Sequence, residues 1–234
     1  MSLAISYEEL RREIGRFIGI GRDSDAWTTD QATDVSDILR AGLRKFYYPG
    51  EHRWSFLCPT ATLDVAADDF DYDLPLDFCG MWSNFSFAQG AVQRNVTPME
   101  EHDLRSILSM RNSSGPPRYY AVRVKPQAPG NVERYEVIFH PVPNVAYTLT
   151  YRYVLDCPDL SLSNIYHLGG ARHSETLLES CLAIAESRLD DQEQIHYKRF
   201  MECLAMSIQL DASERLGPRI NVVQGLMPKT IPEP

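Results

Sequence analysis

No apolar run approaches the ~20 residues that a helix needs to cross a bilayer, so a spanning segment is not expected. Charges at Glu8, Glu9, Arg11 and Arg12 fall where a secretory leader would carry its apolar stretch, and synthesis in a cytosol is expected. Cysteine is sparse and unpatterned. The five cysteines, Cys58, Cys79, Cys157, Cys181 and Cys203, include no C-x-x-C pair, which argues against a disulfide framework and a zinc site. Reduced, mostly buried thiols are the expectation. A basic excess is also missing. The net charge is −9, and the segment values are −1 for residues 1–53, −4 for 54–157, −5 for 158–216 and +1 for 217–234. Wrapping or reading DNA needs phosphate-neutralising cations in one place, so both roles are disfavoured. A surface that DNA slides past without adhering is compatible.

What is present is a change of period along the chain. Ser6 with Glu9 reads as a capping box, and Leu10, Ile14, Phe17 and Ile18 follow on one helical face until Gly19 and Gly21. Thr28 with Gln31 opens a second helix whose inner face holds Ala32, Val35, Ile38, Leu39, Gly42, Leu43 and Phe46. Residues 60–65 and 70–74 alternate as strands do, and 119–124, 135–140 and 146–154 read as further strands, the last with Tyr147, Leu149, Tyr151 and Tyr153 on one face. Between them, Thr97-Pro98-Met99-Glu100 predicts a helix start with Pro98 at its first position, running to about Met110. A third long helix is predicted from residues 172–174 to 189–191, burying Leu177, Leu178, Cys181, Ile184 and Ala185. The fourth carries Tyr197, Met201, Leu204, Ile208 and Ala212 inward and stops at Leu216-Gly217-Pro218. Neither helical pair can bury its apolar stripes alone, so all four are expected to pack together. The expected fold class is α+β: predominantly an α-helical bundle of four long helices, with an inserted small β-rich domain and an extended C-terminal tail. Its boundaries are 1–53 and 158–216 for the helical pairs, 54–157 for the insert and 217–234 for the tail.

A search for chemistry finds little. His173 and Glu175 at i, i+2 do not share a helical face, and His173 lies about 12 Å along a helix from Cys181. Both read as ordinary helix residues, His102 as a surface residue and His140 as a turn residue. Asp69, Asp71 and Asp73 alternate oxygens as a calcium loop would, yet the glycine and terminal glutamate of such a loop are missing. Gly19-Ile20-Gly21 follows a helix and has no Lys-Ser/Thr after it, and no G-x-S-x-G occurs. No catalytic residue, cofactor or metal ligand is therefore assigned, and the chain is read as a non-enzyme.

The order of motifs resembles the head–tail adaptor (connector) proteins of tailed phages. The residues that carry the likeness are Tyr7-Glu8-Glu9-Leu10, Ile14-Gly15, Gly19-Ile20-Gly21-Arg22 and Trp27-Thr28, then Gly42-Leu43-Arg44-Lys45-Phe46-Tyr47-Tyr48-Pro49 and Trp54-Ser55-Phe56-Leu57. Tyr72-Asp73-Leu74-Pro75, Pro117-Arg118-Tyr119-Tyr120, the 147–153 strand and His173-Ser174-Glu175 complete it over residues 5–215. The resemblance implies a homo-oligomeric ring, commonly twelve-fold, between the portal protein and the tail or nozzle proteins. Double-stranded DNA would pass through its channel without specific binding, and no membrane would be involved. The place implied is the neck of the virion, assembled in host cytoplasm. It also implies that the C-terminal tail grips the portal. Ile220, Val222, Val223, Leu226 and Met227 are the apolar residues of that tail suited to a groove or a sheet edge. Two alternatives stay open: another neck or tail-completion part, and a small enzyme with a distributed site.

Overall fold

A computed structural model describes residues 3–50, 52–87, 95–110, 113–126, 133–189 and 194–215. Both capping boxes form. Ser6 N–H donates to Glu9 Oε2 at 2.8 Å and Glu9 N–H to Ser6 Oγ at 3.3 Å, opening α1 (Tyr7–Phe17). Thr28 and Gln31 make the same reciprocal pair ahead of α2 (Thr29–Tyr47). After the sheet region come α3 (Glu101–Met110), α4 (Ser174–Arg188) and α5 (Ile195–Arg215).

The strands are β1 (Thr60–Val65), β2 (Asp71–Asp73), β3 (Phe78–Met81), β4 (Ser86–Phe87), β5 (Thr97–Pro98), β6 (Tyr119–Val124), β7 (Tyr135–His140) and β8 (Tyr147–Leu155). In one four-stranded sheet β8 is central, flanked by β1 on one side and by β3 and β4 on the other, all antiparallel. The second runs β2-β7-β6-β5, with only the β5–β6 pair parallel. The sheets enclose an aromatic core of Phe78, Phe85, Tyr120, Phe139, Tyr151 and Tyr153. On the far side of the second sheet, α3 places Leu104 on Ala121 and Ile138. Strand β7 is therefore buried on both faces, which is why it reads as an apolar run.

The fold is α+β, and the expected four-helix bundle with a small inserted domain is corrected. Among the described residues there are five α-helices and eight strands in two sheets, with 43% helix and 23% strand. Two features of the sequence concealed this. Strands β3, β4 and β5 have four, two and two residues, too short to display a period of two. Pro98, expected at the first turn of a helix, instead sits in β5 beside Tyr120, and the helix starts at Glu101. The helices also do not form a closed bundle. Helix α4 is central, with α1, α2 and α5 against it, and Trp54, Leu57 and Leu160 from connecting segments complete the core. Gly42 permits the α2–α4 contact, because a Cβ there would lie 2.8 Å from Cys181 Cα.

The inward face of α5 differs from the expectation too. Phe200, Leu204, Ser207 and Asp211 are buried, whereas Tyr197 and Met201 are exposed and Ile208 is half-buried. Apolar preference pointed to the wrong row because two inward residues are polar and satisfied. Ser207 Oγ lies 2.7 Å from Thr176 Oγ1, and Asp211 bonds the 52–55 segment.

Candidate docking site

The five tail residues assigned to portal binding, Ile220, Val222, Val223, Leu226 and Met227, lie outside the described residues. What the structure describes is the helix from which that tail leaves. Helix α5 is pinned at both ends by buried carboxylates. At its start Glu186 of α4 accepts the backbone N–H groups of Ile195 at 2.8 Å, His196 at 3.1 Å and Tyr197 at 3.2 Å. These are donors that a helix start leaves without internal partners, and a negative charge suits the positive end of the helix. One turn pair earlier on α4, buried Glu179 takes His196 Nδ1 at 2.7 Å and faces Arg199 at 3.9 Å. Near the other end Asp211 accepts from Ser55 N–H at 3.0 Å and from the Ser55 hydroxyl, and lies 2.9 Å from His52 Nε2.

Removing the first clasp has a defined expectation. Glu186→Ala strands three part-buried N–H groups and should cost about 2 kcal/mol in urea unfolding, with Glu186→Gln losing roughly half as much. Equal stability of Glu186→Ala and the parent would show that α5 does not depend on this carboxylate. Sequence could have flagged the pair only as two of the three glutamates of α4, Glu179 and Glu186, seven residues apart and hence on one face.

Among the described residues two apolar surfaces stand out as exposed. The first is the connection ahead of α4, where Leu162 is 73% exposed and Ile165, Tyr166 and Leu168 are also exposed. It is tied down by Tyr7 N–H to the Ile165 carbonyl at 2.8 Å and by Leu168 N–H to the Tyr47 hydroxyl at 3.2 Å. Beneath it His167 Nε2 lies 3.0 Å from Ser174 Oγ, which also accepts from Ile5 N–H at 3.0 Å and donates to the Gly170 carbonyl at 3.2 Å. With its proton given to Gly170, Ser174 receives one from His167, so the imidazole carries its hydrogen on Nε2. The second surface is a flank of α5 carrying Tyr197 and Met201.

The residues weighed for chemistry serve the fold. His173 is buried in the 3-10 turn before α4 and packs on Trp54 and Phe56. Burial pushes the Cys181 thiol up to about 12, far from a nucleophile's range. Asp73 pairs with Lys125 at 2.6 Å and Arg134 at 3.4 Å, so its oxygens are engaged by cations of the protein itself. Tyr72 hydroxyl stitches the acidic turn through Ala66 and Asp69. His102 lies on the surface of α3, and His140 ends β7 buried, 3.2 Å from Ser113 Oγ. Among the described residues no group of three metal-ligating side chains converges, and no helix is long and apolar enough to cross a membrane.

A family model described as "SU10 adaptor protein" matches residues 5–222, and the chain belongs to that family of phage head–tail adaptors. A comparison with curated proteins gives no match. Membership carries an adaptor role with phage portal and tail proteins as partners and a place in the virion.

Proposed function

We propose that this adaptor is a non-enzymatic neck subunit whose copies close into a ring, twelve-fold in the reading the resemblance implies, between portal and tail. Residues 1–53 and 158–216 form the ring wall and channel, residues 54–157 face outward or toward tail and nozzle proteins, and residues 217–234 dock on the portal. Double-stranded DNA passes through the channel without being held. The observation that carries this reading is the family match over nearly the whole chain. Two further features support it. A ring needs heterologous contacts, in which one patch meets a different patch on the next copy, and two distinct apolar surfaces are exposed. The net charge of −9 opposes self-association in free solution and offers a polyanion no counterion-release gain.

The test is light scattering and electron microscopy of the chain with and without portal protein. Weakly associating subunits alone, and closed rings on portals, are the expected result. A stable closed ring at micromolar concentration without portal would remove the templating step, and undecorated portals would overturn the reading. Tight duplex binding at physiological salt with a steep salt slope would overturn the non-adhesive channel.

A further inference from the structure

The flank of α5 beside its buried face carries a continuous apolar row. Tyr197, Met201, Ala205, Ile208 and Ala212 follow at steps of four, four, three and four residues, which is one line along a helix. Tyr197 is 42% and Met201 47% exposed, Ala205 and Ala212 are exposed, and Ile208 is half-buried. Lys45 of α2 closes the upper edge, its Nζ 4.5 Å from the Tyr197 ring. The crest beyond the row is polar, with Lys198, Glu202 and Gln209. A helix that packs on one neighbour needs one stripe, and this helix has a second one, touched among the described residues by Lys45 at Tyr197 and joined to the core at Ile208, with Met201, Ala205 and Ala212 exposed.

We propose that in the free subunit this row is covered by the chain's own residues 218–227, and that the portal takes this segment away from it. The location fits, because the described helix ends at Arg215, one turn past Ala212, and a Gly-Pro sequence such as Gly217-Pro218 is suited to a reversal. The length fits. From Tyr197 to Ala212 the row spans about 22 Å at 1.5 Å per residue. From Ile220 to Leu226 an extended polyproline-type segment spans about 19 Å at 3.1 Å per residue. The pattern fits as well, since Ile220, Val223 and Leu226 recur every three residues, which is one face of such a segment. Small side chains at Ala205 and Ala212 leave room for a chain to lie close.

The consequence is a coupling between capture and closure. While the tail lies on α5 it shields both its own apolar residues and the row that a neighbouring copy would use. When the portal takes the tail, the row is bared for the next subunit, so ring growth follows portal capture. This coupling rests on the portal-docking reading above; the covering of α5 in the free subunit does not.

Methionine oxidation by dilute hydrogen peroxide separates the possibilities, because Met206 on the opposite flank, 62% exposed, is an internal reference. In the free full chain Met201 should oxidise at least threefold more slowly than Met206. In a chain ending at Gly217, and in the full chain carrying Val223→Glu with Leu226→Glu, the two rates should come within twofold. The protection should be unchanged over a fiftyfold dilution. Equal rates in the full chain, protection that survives both tail variants, or protection that fades on dilution would each overturn the proposal, the last because a second copy would be the cover. Failure of portal docking shows separately. Met201 protection in the free chain that persists when portal is added leaves the covering of α5 intact and refutes the portal as its release.

Discussion

A chain shortened to residues 1–217 is expected to fold, to unfold within about 4 °C of the full chain, and to lose measurable binding to portals. The expectation of folding comes from the helical core. Its members run from Leu10 to Leu204, and the last clasp on α5, Asp211 to Ser55, lies before the cut. What deletion removes is a segment with five apolar side chains in eight residues, which a purely solvating tail would not carry. In the proposed reading the tail lies outside both packed cores and contributes little to the cooperative unit, so only a small drop in melting temperature should follow. Binding is another matter, because an extended segment reaches roughly 50 Å at about 3.3 Å per residue and carries its apolar contacts with it. Sedimentation with portal particles measures the loss directly. A shortened chain that decorates portals at parental affinity would place the grip on the folded part.

Acidification should destabilise the fold in a defined window. Burial, with the neighbouring His173 second, pushes the His167 imidazole from its ordinary 6.5 down to about 4. The geometry gives the cause: Nε2 is engaged with Ser174, while Nδ1 is buried with no hydrogen-bond partner among the described residues, so a proton added there meets nothing. Between pH 6.5 and 4 the unfolded chain therefore binds a proton that the folded chain refuses. Stability is full above this window and falls as pH drops through it, by about 3 kcal/mol in total. Burial lowers His140 as well, with the same sign. Glu9, held low by Ser6, adds its loss from about 4.5 downward, and Asp73, held low by Lys125, from about 3.8 downward, as the unfolded chain takes up protons that the folded carboxylates refuse. Urea titrations at pH 7, 5 and 4 test the window. His167→Gln keeps an amide donor for Ser174 and should flatten the profile; an unchanged slope in that variant would assign the acid sensitivity elsewhere.

Legibility in the sequence followed the range of the interaction. Helix starts are decided by four adjacent residues, and Ser6–Glu9 and Thr28–Gln31 could be read directly. Strands of six residues or more announced themselves by alternation or, in β7, by an unbroken apolar run between turn residues, and β6 and β7 fall where the sequence placed them. The sheet pair did not, because β3, β4 and β5 are made by their partners on β8 and β6 rather than by their own pattern. The α5 face was misread for a related reason. Asp211 looks solvent-seeking until Ser55 and His52, more than 150 residues earlier, are seen to satisfy it. Gly42 reads as a weak point of α2 until Cys181 is seen against it. The proposed portal residues were visible only as composition, because five apolar side chains in eight residues do not by themselves name the surface they meet.

The two clasps on α5 have a mechanical consequence. Glu186 grips the start of the helix from α4, and Ser55 with His52 grips it near the far end, both from the side. A pull on the tail along the axis of α5 loads both attachments at once, in shear, together with the hydrogen bonds of the helix between them. A pull across the axis would instead peel α5 from its C-terminal end, breaking the Asp211 contacts first and the Glu186 contacts last. Bonds loaded together fail at higher force than bonds loaded in turn. The subunit is thus strongest against tension delivered lengthwise, and single-molecule pulling along the two directions should give different rupture forces.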